Sequence, residues 1–173
     1  MKLSGPNIIL RAIEPSDLDV LYQWENDPET WNVSNTQAPY SRFVLEQYIA
    51  SAHQDIYSVK QLRLMICSTD GKPVGSIDLF DFDPNHLRAG IGILVAAKED
   101  RRKGYASEAL QILINYCFDI LNLHQLYCNI AIDNEASVFL FQKHGFMITG
   151  MKKQWIREND RFKDELLLQR IRN

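Results

Sequence analysis

A chain of 173 residues, 46% hydrophobic and 24% charged, is long enough for one domain with a real core and ordinary enough to be a soluble globular protein. Its net charge of −3 argues against non-specific nucleic-acid binding, which calls for a broad basic surface, but leaves room for one local basic pocket. No apolar run is long enough to span a membrane, and the opening residues enter a strand pattern without the apolar stretch of a signal peptide.

Taken in chain order, "NIILRAIE" (residues 7–14) reads as a strand. "EPSDLDVLYQWEND" reads as a helix with Pro15 and Ser16 at its start and Leu18, Leu21, Tyr22 and Trp24 on its apolar face. The polar, aromatic stretch "PETWNVSNTQAPYS" is expected to be an irregular loop, and "RFVLEQYIASAH" a second helix. Three strands follow, "QLRLMICS", "VGSIDLFDF" and "LRAGIGILV", separated by the turn chemistry of "TDGKP" and "DPNH", which predicts an antiparallel meander. The clearest helix has Ala106, Ala109, Leu110, Leu113, Ile114, Cys117 and Leu121 recurring at spacings of three and four. "HQLYCNIAI" is then a strand, and "NEASVFLFQKHG" a short helix with Asn134 as N-cap and Gly145 as its stop. A closing hairpin is expected to turn at Glu158-Asn159-Asp160.

The order β, α, α, β, β, β, α, β, α, β, β predicts an α/β (α+β) fold in one domain over residues 1–173. Its sheet of about seven strands is mixed but mostly antiparallel, flanked by about four helices on both faces. The strand–helix–strand unit from Leu87 to Ile132 is expected to be parallel and right-handed. Cys67, Cys117 and Cys128 lie in apolar runs without CxxC spacing, so buried free thiols and a cytoplasmic setting are expected. His53, His86 and His124 show no i,i+4 partner or cysteine spacing, so no metal site is expected.

"VAAKEDRRKGYASEAL" (residues 95–110) ends a strand, carries three consecutive cations and then opens the clearest helix. A helix N-terminus offers unpaired N–H groups and partial positive charge, and a glycine lets backbone approach a ligand without a Cβ. Together these predict an anion site, with phosphate the usual anion. A phosphate loop of the GxxxxGK[ST] type is absent, and "AGIG" lacks the spacing of a dinucleotide fingerprint.

"R101-R102-K103-G104-Y105-A106" resembles the R/Q-x-x-G-x-G/A pattern of the GNAT superfamily of N-acetyltransferases, where it likewise follows a strand and opens a helix. "DNEASVFLFQKHGF" resembles the second signature of that family, and the element order agrees along essentially the whole chain. The two ends of the chain are similar to the branch of spermidine and ribosomal-protein N-terminal acetyltransferases.

The resemblance implies acetyl-CoA as co-substrate. It implies cofactor contacts from Ile93, Leu94, Val95, Arg101, Arg102, Lys103, Gly104, Tyr105, Ala106, Asn134, Ser137, Phe141 and Lys143, with the pantetheine arm between strands 87–95 and 125–132. It further implies direct transfer of acetyl to a primary amine of a small molecule or peptide: a protein N-terminus, a polyamine or an amino sugar. Neither nucleic acid nor membrane is an expected partner, and an assembly of identical chains is left open.

An amine of pKa near 10.4 is almost fully protonated at pH 7, at a cost of roughly 4.6 kcal/mol, whereas a thiol leaving group near 8.5 is mismatched by only about 2 kcal/mol. A base therefore matters more than an acid. A backbone N–H at Leu94 or Val95 is the candidate oxyanion donor.

Phe141 stands where many relatives carry a tyrosine as general acid, and Gly90 where spermidine-type relatives often carry a glutamate. Candidate substitutes are Asp78 and Asp81, at most one of which faces the cleft of an ideal strand, and Tyr105 or Tyr127. The acceptor is expected against the loop 27–40, with Asp27, Glu29, Trp31 and Tyr40 as substrate-binding residues and few acids for a polyamine. A catalytically weak acyl-CoA-binding module is the competing reading, kept alive by Phe141 and Gly90.

Overall fold

The computed structural model describes residues 3–34 and 36–172. A seven-stranded mixed sheet runs through it in the order β1-β2-β3-β4-β5-β7-β6. The strands are β1 (Ile8–Arg11), β2 (Leu62–Ser68), β3 (Pro73–Asp83), β4 (Arg88–Val95), β5 (Gln125–Ala131), β6 (Met147–Glu158) and β7 (Arg161–Ile171). The predicted meander is present as β2–β3–β4, every pair antiparallel. The one parallel pair is β4 with β5, joined through helix α5 (Tyr105–Asp119) as the strand–helix–strand pattern requires.

Helices α1 (Leu18–Glu25) and α3 (Arg42–Ala50) cover one face, where Leu21, Met65 and Cys67 are buried with Trp24 and Ile49 packed on them. The opposite face buries Ile66, Ile77, Leu79 and Ile91 against Leu110, Leu113 and Ile114 of α5 and Phe141 of α6 (Glu135–Lys143). Burial of this α5 stripe, at about 25 cal/mol per Å² of apolar surface, drives the helix onto the sheet. Cys67, Cys117 and Cys128 are free and buried, and burial alone pushes Cys117 and Cys128 up to about 12. Among the described residues no helix is long and apolar enough to cross a membrane.

One expectation is corrected. The stretch read as an irregular loop contains helix α2 (Pro28–Ser34), because Asp27 accepts the Glu29 N–H (2.8 Å) and Pro28 supplies a first-turn φ. A further short helix, α4 (Ile56–Val59), is capped by Asp55 and ended by Lys60 at φ +59. The four expected helices thus become six among the described residues.

Candidate active site

Strands β4 and β5 pair only through Arg88–Gly90 and Gln125–Tyr127. Beyond Gly90 they part, leaving Ile91–Val95, about 16 Å of strand, paired on one side alone. A cleft of about 670 Å³ opens there, lined on one wall by Ile91, Gly92, Ile93 and Leu94 and on the other by Cys128, Asn129, Ile130 and Ala131, with Asn134, Ser137 and Phe141 of α6 closing it.

Backbone direction follows from register. Ala96 N–H donates to Val74 C=O (3.1 Å) and Leu87 C=O accepts from His124 N–H (2.7 Å), so alternate β4 residues, Ile91, Ile93 and Val95 included, turn their polar groups toward the splay. The Leu94 carbonyl leans over Gly75, where a Cβ would collide with it. Val95 N–H lies in the same peptide plane and points the opposite way, away from β3. Of the two candidate oxyanion donors, geometry thus favours Val95 and turns the Leu94 amide to β3.

The basic turn delivers main chain more than charge. Gly104 is the N-cap of α5 at φ +84, and a Cβ there would meet none of the described residues, so the helix end is open to an anion. The first bond of the helix runs from Glu108 N–H to Gly104 C=O (3.0 Å), so the amides of Tyr105, Ala106 and Ser107 precede it. Arg102, at φ +64, shapes the turn.

Two of the three cations are engaged within the protein. Arg101 donates to Val95 C=O and Ala96 C=O (both 3.2 Å), and Lys103 donates to Asp100 (2.9 Å). Asp100 is buried, also accepts from Lys72 (3.0 Å), and is held below the usual carboxylate range by Lys103 first and Lys72 second. The turn therefore fits a pyrophosphate through a preset backbone cradle.

Asn134 accepts the Ser137 N–H (3.3 Å) at the start of α6, and Lys143 is exposed in its last turn. Phe141 is buried, edge-on to Phe146 at 5.0 Å. Tyr105 is half-buried against the α5 core with Lys103 Nζ 5.9 Å from its ring. It is not among the residues lining the cleft.

Asp78 and Asp81 part company, and the physical reason is a bulge. Asp78 lines the cleft, opposite Gly92, and its two oxygens accept a fork from Arg63 Nε (2.6 Å) and Nη2 (3.1 Å). Register slips between Phe80 and Asp83, with Asp81 at φ +48, and Asp81 turns instead to accept from the Tyr127 hydroxyl (3.2 Å) outside the cleft. Burial and this neighbouring carboxylate push Tyr127 up to about 12.

The same bulged segment explains Gly90. Phe80 lies directly across from it with its ring over the glycine, so a Cβ at Gly90 would collide with that ring. Tyr127 packs edge-on to Phe80 at 5.7 Å. Aromatic mass thus fills the space beside Gly90.

The predicted acceptor residues lie around the cleft more than in it. Asp27 caps α2, the Tyr40 main chain exchanges two bonds with the Asn26 side-chain amide, and Glu29 sits 3.9 Å from Arg101. Trp31 donates to Glu25 C=O (2.6 Å) and lines a second cavity of about 800 Å³ with Trp155. That cavity shares Ile156 and Glu158 of β6 with the cleft as lining.

Of the cleft's own acids, sequence reading named Asp78 and missed the other four. Five carboxylates, Glu25, Asp78, Asp133, Glu158 and Glu165, line it against two cations, Arg63 and Lys163. Arg63 Nη1 also binds Glu25 (2.6 Å), so one guanidinium serves two carboxylates, and Lys163 does the same between Asp133 (3.0 Å) and Glu158 (3.2 Å). The only sequence signal for Glu25 is its place at the end of the first helix, just ahead of the loop 27–40.

Comparison with known proteins agrees with this geometry. The chain is 28% identical over 147 residues to a spermidine N(1)-acetyltransferase of Escherichia coli, covering 85% of this chain and 76% of that one. It is 26% identical over 168 residues to the L-amino acid N-acetyltransferase AaaT of the same species, covering 95% and 98%. Its fold superposes with a TM-score of 0.85, at 24% identity and 95% coverage of both chains, on a spermidine N-acetyltransferase of Vibrio cholerae solved with CoA and spermine. The family model of the acetyltransferase (GNAT) domain matches residues 7–147, and the chain belongs to that family.

Proposed function

We propose that this acetyltransferase moves acetyl from acetyl-CoA to a primary amine that carries further positive charge, with polyamines as the first class to test. The observation that carries the reading is the cleft's charge. Five carboxylates line the cleft against two cations, and with Lys152 on Glu165 (2.6 Å) counted as a third the balance is still negative next to the β4–β5 splay, in a chain of net charge only −3. Relatives acting on spermidine and on L-amino acids support amine acetylation as the class.

Acetyl-CoA supplies the acyl group as a thioester. The backbone from Arg101 to Ala106 takes the pyrophosphate, Ile93 to Val95 line the pantetheine, and the Val95 amide faces the acyl oxygen. Asn134, Ser137 and Lys143 flank the cofactor from α6. Glu25 has one oxygen on Arg63 and is placed to receive an ammonium with the other. Asp78, fixed by Arg63, holds that wall in position and adds to its negative field.

Thiol release from acetyl-CoA in the presence of spermidine, spermine, N-terminal peptides, amino acids and amino sugars tests the reading. Turnover with the polycations above the rest is the expected result. The second reading, an acyl-CoA-binding module, draws on Phe141 and on Phe80 filling the space beside Gly90. Tight acetyl-CoA binding with no thiol release across the panel would favour it.

A further inference from the structure

No motif points to Ser76, yet its surroundings are unusual for a hydroxyl. It sits in the middle of β3, 5% exposed, with Met65 across from it on β2 and Leu94 across from it on β4. Its side chain shares a face with Asp78, two residues on, and lines the cleft.

Among the described residues no protein group bonds to this hydroxyl, and no polar side-chain atom is sealed from the surface without a partner. The Ser76 oxygen is therefore not sealed, and the cleft is the cavity its residue lines. A hydroxyl set between apolar neighbours with no bond inside the protein adds nothing to packing, which alone would favour alanine or another apolar side chain of similar size. A buried polar group in that position calls for a partner from outside the protein.

Ser76 also lies where the two halves of the reaction meet. It is paired with Leu94 in the part of β4 that has left β5, one residue from the amide that faces the splay. The carboxylates on Arg63 lie on its acceptor side. We infer that the Ser76 hydroxyl contacts the attacking amine, accepting one of its N–H bonds and aiming its lone pair at the acyl carbon.

This rests on the amine-acetylating reading above. In the step itself the N–C bond forms as the C–S bond breaks, the thiolate leaves with that electron pair, and the amine proton passes to solvent. Ser76 keeps its own proton throughout and contributes orientation.

Ser76→Ala, with Ser76→Cys as the volume-conserving second variant, tests the inference in the full chain. The readouts are kcat and KM for spermidine between pH 7 and 10, the Kd of acetyl-CoA by calorimetry, and the melting temperature. Both variants are expected to lose about tenfold in kcat/KM for the amine at every pH, with acetyl-CoA affinity within about twofold and a melting temperature equal or higher. Ser76→Thr, which keeps the hydroxyl, is expected to recover part of the loss. A purely packing role would move melting temperature and leave kcat/KM alone. Wild-type kcat/KM in both Ala and Cys variants overturns the role of Ser76 while leaving the amine reading intact. A wild-type protein that binds acetyl-CoA but acetylates no amine overturns the amine reading, and the role of Ser76 falls with it.

Discussion

The two walls of this cleft are built in different ways. The proposed cofactor wall is main chain: a strand released from its neighbour, a glycine at φ +84, and helix amides, nearly all within residues 91–107. The proposed acceptor wall is side chain: Glu25 from α1, Arg63 from β2, Asp78 from β3, Glu158 and Lys163 from the closing hairpin. Main-chain sites depend on local conformation and so leave a short contiguous signature. Side-chain sites depend on which distant positions the fold brings together, and they can change acceptor without disturbing the cofactor.

The sharpest way to break the comparison is to strike the main-chain wall at one atom. Gly104→Val puts a β-branched residue at φ +84 and a Cβ at the proposed pyrophosphate cradle, although that Cβ would meet nothing among the described residues. Calorimetry is expected to show acetyl-CoA affinity down by about a hundredfold, with Gly104→Ala intermediate. An unchanged affinity would move the pyrophosphate elsewhere.

At the vertex where the walls meet, Gly90→Ala is expected to cost about 1–3 kcal/mol, because the new Cβ runs into the Phe80 ring. For a chain of this size that is a fall of about 2–12 °C in Tm. Combining it with Phe80→Ala should return much of the loss, and a double-mutant cycle reads the coupling directly.

The acceptor wall gives smaller, selective effects. Glu25→Gln keeps a partner for Arg63 but removes the charge offered to an ammonium. KM for spermidine is expected to rise about tenfold, with acetyl-CoA affinity unchanged and the difference shrinking in high salt. Phe141→Tyr adds a hydroxyl where the cleft meets α6. It is expected to raise kcat severalfold at pH 7, a gain that fades above about pH 8.5, where a departing thiolate no longer needs a proton.

Legibility in the sequence followed the same division. The seven strands, the parallel β4–β5 unit and the turn before Gly104 were readable because periodicity, turn residues and the motif are local. The helix over Pro28–Ser34 was also signalled, by Asp27 and Pro28, but the aromatic and polar residues after it masked the cap. The acceptor wall was not readable. Its key ion pair joins Arg63 to Glu25 across 38 positions. The choice between Asp78 and Asp81 was settled by a bulge that no alternation pattern contains. Gly90 looked like a lost carboxylate until Phe80 was found opposite, occupying the volume that such a side chain requires.

The faintest expected effect tests how firmly the main-chain wall is anchored from behind. His144 follows α6 with Nε2 2.8 Å from the Ser107 hydroxyl in the first turn of α5 and Nδ1 3.2 Å from Gln111, while its carbonyl accepts from Arg170 (2.6 Å). Burial, then Lys143 and Arg170, hold its imidazole below the ordinary 6.5. A histidine with a lowered folded pKa binds fewer protons folded than unfolded, so stability is full above about 6.5 and declines as pH falls below it. Tm of the wild type should therefore drop between pH 6.5 and 5 more steeply than that of His144→Gln, whose amide can still bond to Ser107 without titrating. Because the imidazole is only half-buried, the separation should be a few degrees at most. If it is accompanied by a matching loss of acetyl-CoA affinity in the wild type alone, His144 links the two signature helices α5 and α6 as one unit behind the cofactor wall. Parallel Tm curves for the two proteins would mean that the helices hold their positions through Leu110, Phe141 and the apolar core without it.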